Sequence, residues 1–139
     1  MNKSNTQAFK MLNPDALYDP SVNGYSHVAV VQPHMRIIHI AGQGGENKEG
    51  ELSQDFDQQV QQVFYNIQHA LTSAQARLQD IAVLRILVVD HDAEKLQKLT
   101  HIMQSLWKNH VFPVCTLIPV PCLALQDMQI EIEATAYTA

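Results

Sequence analysis

Between residues 56 and 76, apolar side chains recur at three- and four-residue steps: Phe56, Val60, Val63, Phe64, Ile67, Leu71 and Ala74. That spacing gathers them on one face of a helix, and Gln58, Gln61, Gln62, Asn66 and Gln68 fill the other. Ser53 is the expected N-cap, and Asp55 and Asp57 fall in the first turn, where the helix dipole favours anions. Asp92 predicts a second N-cap, with Glu94 behind it and Leu96, Leu99, Met103 and Leu106 as the apolar stripe of a second helix. Elsewhere the apolar positions form short β-rich runs, at 27–32, 36–43, 81–90, 114–120 and 128–137. Pro33-His34 is a turn between the first two, and Gly42, Gly44, Gly45 and Gly50 mark a polar loop after the second. Pro119 and Pro121 predict an edge, a bulge or a loop. Residues 1–24, punctuated by Asn13, Pro14, Pro20, Asn23 and Gly24, read as an irregular segment. The predicted order is β-β-α-β-α-β-β, an α+β domain over residues 1–139 with two helices on one face of a five- to six-stranded mixed sheet.

Successive strand residues point to opposite sides. In the run 83–89, Val83, Leu87 and Val89 go one way, and Leu84, Ile86 and Val88 go the other. Ile37, Ile38 and Ile40 repeat the pattern, as do Val28, Ala29, Val30 and Val31. Two helices cover one face of such a sheet. The second face is then a broad apolar patch, which monomers rarely expose, so the pattern predicts a subunit interface. Arg85 is the exception within its run. A charge among apolar neighbours needs a partner or solvent, so it is expected either in an inter-subunit salt bridge or as an anion clamp.

Composition agrees with that picture. Hydrophobic residues are 46% of 139 and charged residues 17%, an apolar excess that needs cover. The length suffices for one core without disulfides or metal. Net charge is -5, with no basic run, which argues against nucleic acid as a partner. No stretch approaches ~20 apolar residues, so no membrane span is expected. Met1–Lys10 lacks an apolar signal core, which predicts a cytoplasmic chain. Cys115 and Cys122 are expected to be free thiols. The seven histidines are scattered without metal-ligand spacing. Gly42-Gln43-Gly44-Gly45 lacks the Lys-Ser/Thr of a phosphate loop. No cofactor is implied.

Several stretches in order carry a resemblance. Asn23-Gly24-Tyr25-Ser26-His27-Val28-Ala29-Val30, Ile40-Ala41-Gly42-Gln43, the helical set Gln59, Gln62, Asn66 and Leu71, Phe112-Pro113, and Ile130-Glu131-Ile132-Glu133-Ala134-Thr135-Ala136 together resemble the RidA/YjgF family of imine deaminases and their relatives. The match runs from about residue 13 onward. The resemblance implies a chorismate-mutase-like fold and a homotrimer, with small-molecule clefts between subunits. It implies that Glu131 positions water and that Tyr25 lies in the pocket. The backbone at Gly42, beside Gln43, is expected to approach a ligand closely because no Cβ is present, and Thr116, next to Cys115, is expected to offer a hydroxyl on the cleft rim.

At one position the chain departs from that pattern. Deaminating members carry Pro-x-Arg, where the guanidinium grips a 2-imino acid carboxylate bidentately. Here the stretch is Pro113-Val114-Cys115. The loss of a charge-assisted pair costs about 1.5 to 3 kcal/mol of substrate binding, which argues against standard 2-imino acid deamination. Three functions follow: a deaminase or related hydrolase using Glu131, a non-catalytic metabolite-binding or regulatory trimer, and thiol chemistry at Cys115. Each residue also has a bland reading. Cys115 fits a small buried hydrophobe, Glu131 a rim carboxylate, Tyr25 an interface contact, and Gly42 a strand bend. His27, beside Tyr25, is a candidate pocket acid or base, and His39 a core or interface histidine.

Overall fold

The structure, a computed structural model, describes residues 7–139. It holds six strands and two helices: β1 Phe9–Leu12, β2 Val28–Val31, β3 Arg36–Gln43, α1 Phe56–Ser73, β4 Ile81–Val89, α2 Ala93–Leu106, β5 Val114–Val120 and β6 Ile130–Thr138. Four strands form one mixed sheet in the order β3-β6-β4-β5, and β1 and β2 form a separate antiparallel ribbon. β6 runs antiparallel to both β3 and β4, whereas β5 runs parallel to β4. A parallel pair needs a crossover connection, and α2 supplies it. β5 is an edge strand, which is why it tolerates Pro119.

Two local expectations need correction. The segment 1–24 is not irregular throughout. It contains β1 and a short 3-10 helix, Pro20–Asn23. β1 has only four residues, and its partner is distant in sequence, Phe9 pairing with Val31 and Leu12 with Val28. A strand held by such non-local pairing leaves little local signal. The α1 N-cap is Asp55, not Ser53: the Asp55 carboxylate accepts from the Gln58 amide at 3.3 Å. Ser53 braces the cap, its hydroxyl accepting from the Asp55 amide and donating to Gln58 Oε1. The α2 cap at Asp92 is as expected, with Asp92 Oδ1 accepting from the Lys95 amide at 2.8 Å.

The main core lies between the helices and one sheet face. Val63, Ile67 and Leu71 of α1 and Leu99 and Met103 of α2 pack on Leu84, Ile86, Val88, Ile130, Ile132 and Ala136. Trp107 closes its end edge-on to Phe64, with ring centroids 6.2 Å apart. A smaller cluster of Ala8, Phe9 and Ala82 ties the β1-β2 ribbon to β4.

The second sheet face has no cover within the chain. Ile37, Val83 and Ile118 there are 50%, 38% and 38% exposed, and on the ribbon Val28, Val30 and Val31 are exposed as well. The face is not uniformly apolar, however. The strand register aligns His39 with Thr135, and Glu133 with Arg85 and then Thr116, in a polar stripe across it. Arg85 has a partner within the chain, Nη1 lying 2.8 Å from Glu133 Oε1 on the open face. His39 is exposed, with Nδ1 3.3 Å from the Thr135 hydroxyl.

Candidate functional site

Glu131, Gly42 and Gln43 meet at one corner. β3 and β6 pair regularly as far as Ile40 with Ala134, then shift register before Gln43 pairs with Ile132. The shift brings Gly42 under the Glu131 side chain. A Cβ at Gly42 would lie 2.0 Å from Glu131 Oε1 and 2.7 Å from its carboxyl carbon, so only glycine lets the carboxylate lie there. Gln43 folds back on its own strand, Nε2 donating to the Ala41 carbonyl at 3.0 Å. Among the described residues, no cation lies within salt-bridge distance of Glu131, and no hydrogen-bond partner reaches its carboxylate.

The polar residues of α1 hold this corner in place. Gln59 is fully buried. Its Nε2 donates to the carbonyls of Ser53 and Asp127, and its Oε1 accepts from the Gln129 amide at 2.9 Å. One side chain thus ties α1 to the segment that leads into β6. Asn66 Nδ2 donates to the carbonyls of Gly44 and Glu46, and Gln62 Nε2 donates to Asn66 Oδ1. These bonds fix the loop that leaves β3. Gly45 lets that loop touch the helix, since a Cβ there would meet the Gln59 Cα at 2.8 Å. The sequence pattern had placed Gln62 and Asn66 on a polar helix face; the structure turns them onto the loop.

A second group gathers where β5, α2 and the segment before β2 meet. Tyr18, Tyr25, Leu99, Met103, Cys115 and Thr116 are among the residues around a cavity of about 380 Å³. The hydroxyls of Tyr18 and Tyr25 hydrogen-bond to each other. His27 packs edge-on to both rings, at 5.1 and 5.4 Å between centroids, and its Nε2 lies 2.9 Å from the Tyr18 carbonyl. The turn beneath them depends on Gly24, at φ 73, where a Cβ would strike the Met103 Cβ at 2.9 Å. Sequence reasoning missed Tyr18. The available signal was two tyrosines flanking a Pro- and Gly-bounded turn.

The two groups do not meet within one chain. Cys115 pairs with Leu84, whose side chain is in the helix-side core, whereas Glu131 pairs with Leu87. Paired residues share a face, and positions three apart on a strand point oppositely, so Cys115 and Glu131 point to opposite faces. Cys115 packs against the main core, and burial pushes its thiol up to about 12. It is a neutral thiol at ordinary pH, without the depressed pKa that reactive cysteines have. Thr116, on the edge strand, borders both the cavity at Tyr25 and the open-face hollow that holds Arg85 and Glu133.

The family model described as Endoribonuclease L-PSP matches residues 17–138. The chain belongs to this family, that of the Rid/YjgF proteins. A Rid-family protein of unknown function from Yersinia pestis, YyfB, is 35% identical, with a TM-score of 0.88 over 94% of this chain and 98% of that one. The YjgF protein of E. coli is 26% identical, with a TM-score of 0.66 over 79% of this chain and 85% of its own. A YjgF-family protein from Mycobacterium tuberculosis is 25% identical, with a TM-score of 0.62 over 94% and 99% of the two chains. No curated protein is a significant match. The α+β Rid/YjgF fold expected from the sequence is the one found. Among the described residues, no helix of this family member is long and apolar enough to cross a membrane.

Proposed function

We propose that the chain works as a homotrimer whose inter-subunit clefts hydrolyse a C–N bond of an imine or enamine, with Glu131 positioning the attacking water. The observation that carries this reading is the Glu131 carboxylate itself. It is half-buried over Gly42 and free of any cation or hydrogen-bond partner among the described residues. A carboxylate held that way is available to a water molecule. In the reaction, the water oxygen bonds to the imine carbon while Glu131 accepts a water proton. Glu131 then returns the proton to nitrogen. In the carbinolamine so formed, Glu131 moves the hydroxyl proton to nitrogen as the C–N bond breaks, so that a carbonyl forms and the neutral amine or ammonia leaves.

Glu131 and the Tyr25–Cys115 cavity lie on opposite faces of one sheet, so a single subunit does not combine them. A neighbouring copy over the open face is the arrangement that does, and it covers Ile37, Val83 and Ile118 at the same time. Tyr25, Thr116 and the backbone at Gly42 and Gln43 are then the ligand contacts. The family description names an endoribonuclease, but a net charge of -5 without a basic run argues against RNA as the substrate.

Cys115 in place of the carboxylate-binding arginine favours a second reading, a trimer that binds a metabolite without turning it over. Release of ammonia or amine from freshly generated imines separates the two. The hydrolase reading expects turnover above buffer and a loss of about 100-fold or more in Glu131→Gln. A wild-type protein without turnover on a broad panel, but with a melting point raised by a ligand, supports the binding trimer instead.

A further inference from the structure

We infer that the cavity at Tyr25 and Cys115 selects an uncharged ligand with an apolar body and one hydrogen-bond-accepting end, and that Cys115 sets this preference. The inference rests on the reading of this cavity as a ligand site and names the class of ligand; it does not depend on Glu131 acting as a base. Its volume of about 380 Å³ falls at the small end of the range for small-molecule sites. Leu96, Leu99 and Met103 of α2 face Cys115 and Leu117 of β5 across it. No charged side chain borders the cavity among the described residues.

The neighbouring lysine and arginine cations are engaged elsewhere, and the His27 ring, edge-on to Tyr18 and Tyr25, has its Nε2 on the Tyr18 carbonyl. Arg85 is paired with Glu133 on the open face. Lys95 donates to the Val89 carbonyl and lies over the Phe56 ring. Lys98 sits between Asp57 and Glu94 on the outer side of the helices. A carboxylate entering the cavity would give up its hydration and meet apolar walls, a neutral thiol and uncharged polar groups, the tyrosine hydroxyls and the Asn23 amide, with no cation among the described lining residues to offset the loss. A neutral group gives up far less.

The hydrogen-bonding end follows from the tyrosine pair. Of the two hydroxyls, one donates to the other, and the acceptor keeps its own proton. The pair therefore offers one donor to a ligand, and its natural partner is a carbonyl oxygen or an imine nitrogen.

A pair of probes of nearly the same shape, benzamide and benzoate, tests this with the full chain by titration calorimetry. Benzamide is expected to bind the wild-type protein about tenfold or more tighter than benzoate. Cys115→Arg is expected to reverse that order. Leu96→Trp, at a half-exposed position on the rim, blocks the space without touching the core and is expected to weaken benzamide. The inference is overturned if benzoate binds the wild type as tightly as benzamide, or if neither probe binds a folded protein. The wild-type comparison decides the matter even if Cys115→Arg fails to fold. A preference for benzamide without imine turnover removes the hydrolase reading alone; turnover without the preference removes this inference alone.

Discussion

The corner at Glu131 and the cavity at Cys115 lie on opposite faces of one sheet and are built by different means. The corner is held by buried amides, with Gln59 alone tying α1 to three backbone groups. The cavity is assembled from apolar side chains and an aromatic cluster in which Tyr25 and His27 are partly buried and Tyr18 is 61% exposed. The corner keeps the residues the family pattern calls for, and the cavity holds the departure at Cys115. In the proposed hydrolase, the half assigned to positioning water is the one held by buried amides, and the half assigned to recognition is the one that carries the change. The constraint comes from hydrogen bonds that cannot be lost without leaving buried polar groups bare.

Breaking the corner should cost the most. Gln59→Leu strands two carbonyls and an amide, and is expected to lower stability by about 3 kcal/mol, read as a fall in the urea midpoint. A loss below about 1 kcal/mol would show that the corner does not depend on this residue. Gly42→Ala is expected to displace the Glu131 carboxylate. Activity should fall about 100-fold, with a stability loss of only about 1 kcal/mol because the side chain in the way can swing aside. Steady-state kinetics beside a melt check the split.

The cavity should answer more mildly. Tyr25→Phe removes one hydroxyl of the pair and is expected to weaken a carbonyl-bearing ligand by about 1 kcal/mol, with the fold intact by circular dichroism. At neutral pH the Cys115 thiol adds no pH dependence. Its folded pKa is raised from 9.0 to about 12, so the unfolded chain loses that proton first as pH rises. The contribution is fully present below about 9 and is lost towards about 12. Urea melts of wild type across that window should show a downward slope that Cys115→Ala reduces.

Much of the fold was legible because its signals are local. The periodicity over 56–76 and the cap at Asp92 marked the helices, and four of the strands match their β-rich runs closely. β1 was not legible, since it exists through pairing with β2. Ser53 and Asp55 are both good caps, and only the geometry separates them. From the β4 run the open face looked apolar but for Arg85. Its polar stripe comes from His39, Glu133 and Thr116 on other strands, whose register the sequence does not carry. The same holds for the site: Glu131, Gly42, Tyr25 and Cys115 were recognisable one by one, but their division between two faces is a property of strand pairing.

All of this rests on the open sheet face being covered by further copies of the chain. Sedimentation equilibrium at low micromolar concentration tests it directly. Three chain masses are expected, with Val83→Glu shifting the protein towards the single chain. A wild-type protein that sediments as one chain would leave the open face bare, separate Glu131 from the Cys115 cavity, and contradict the account.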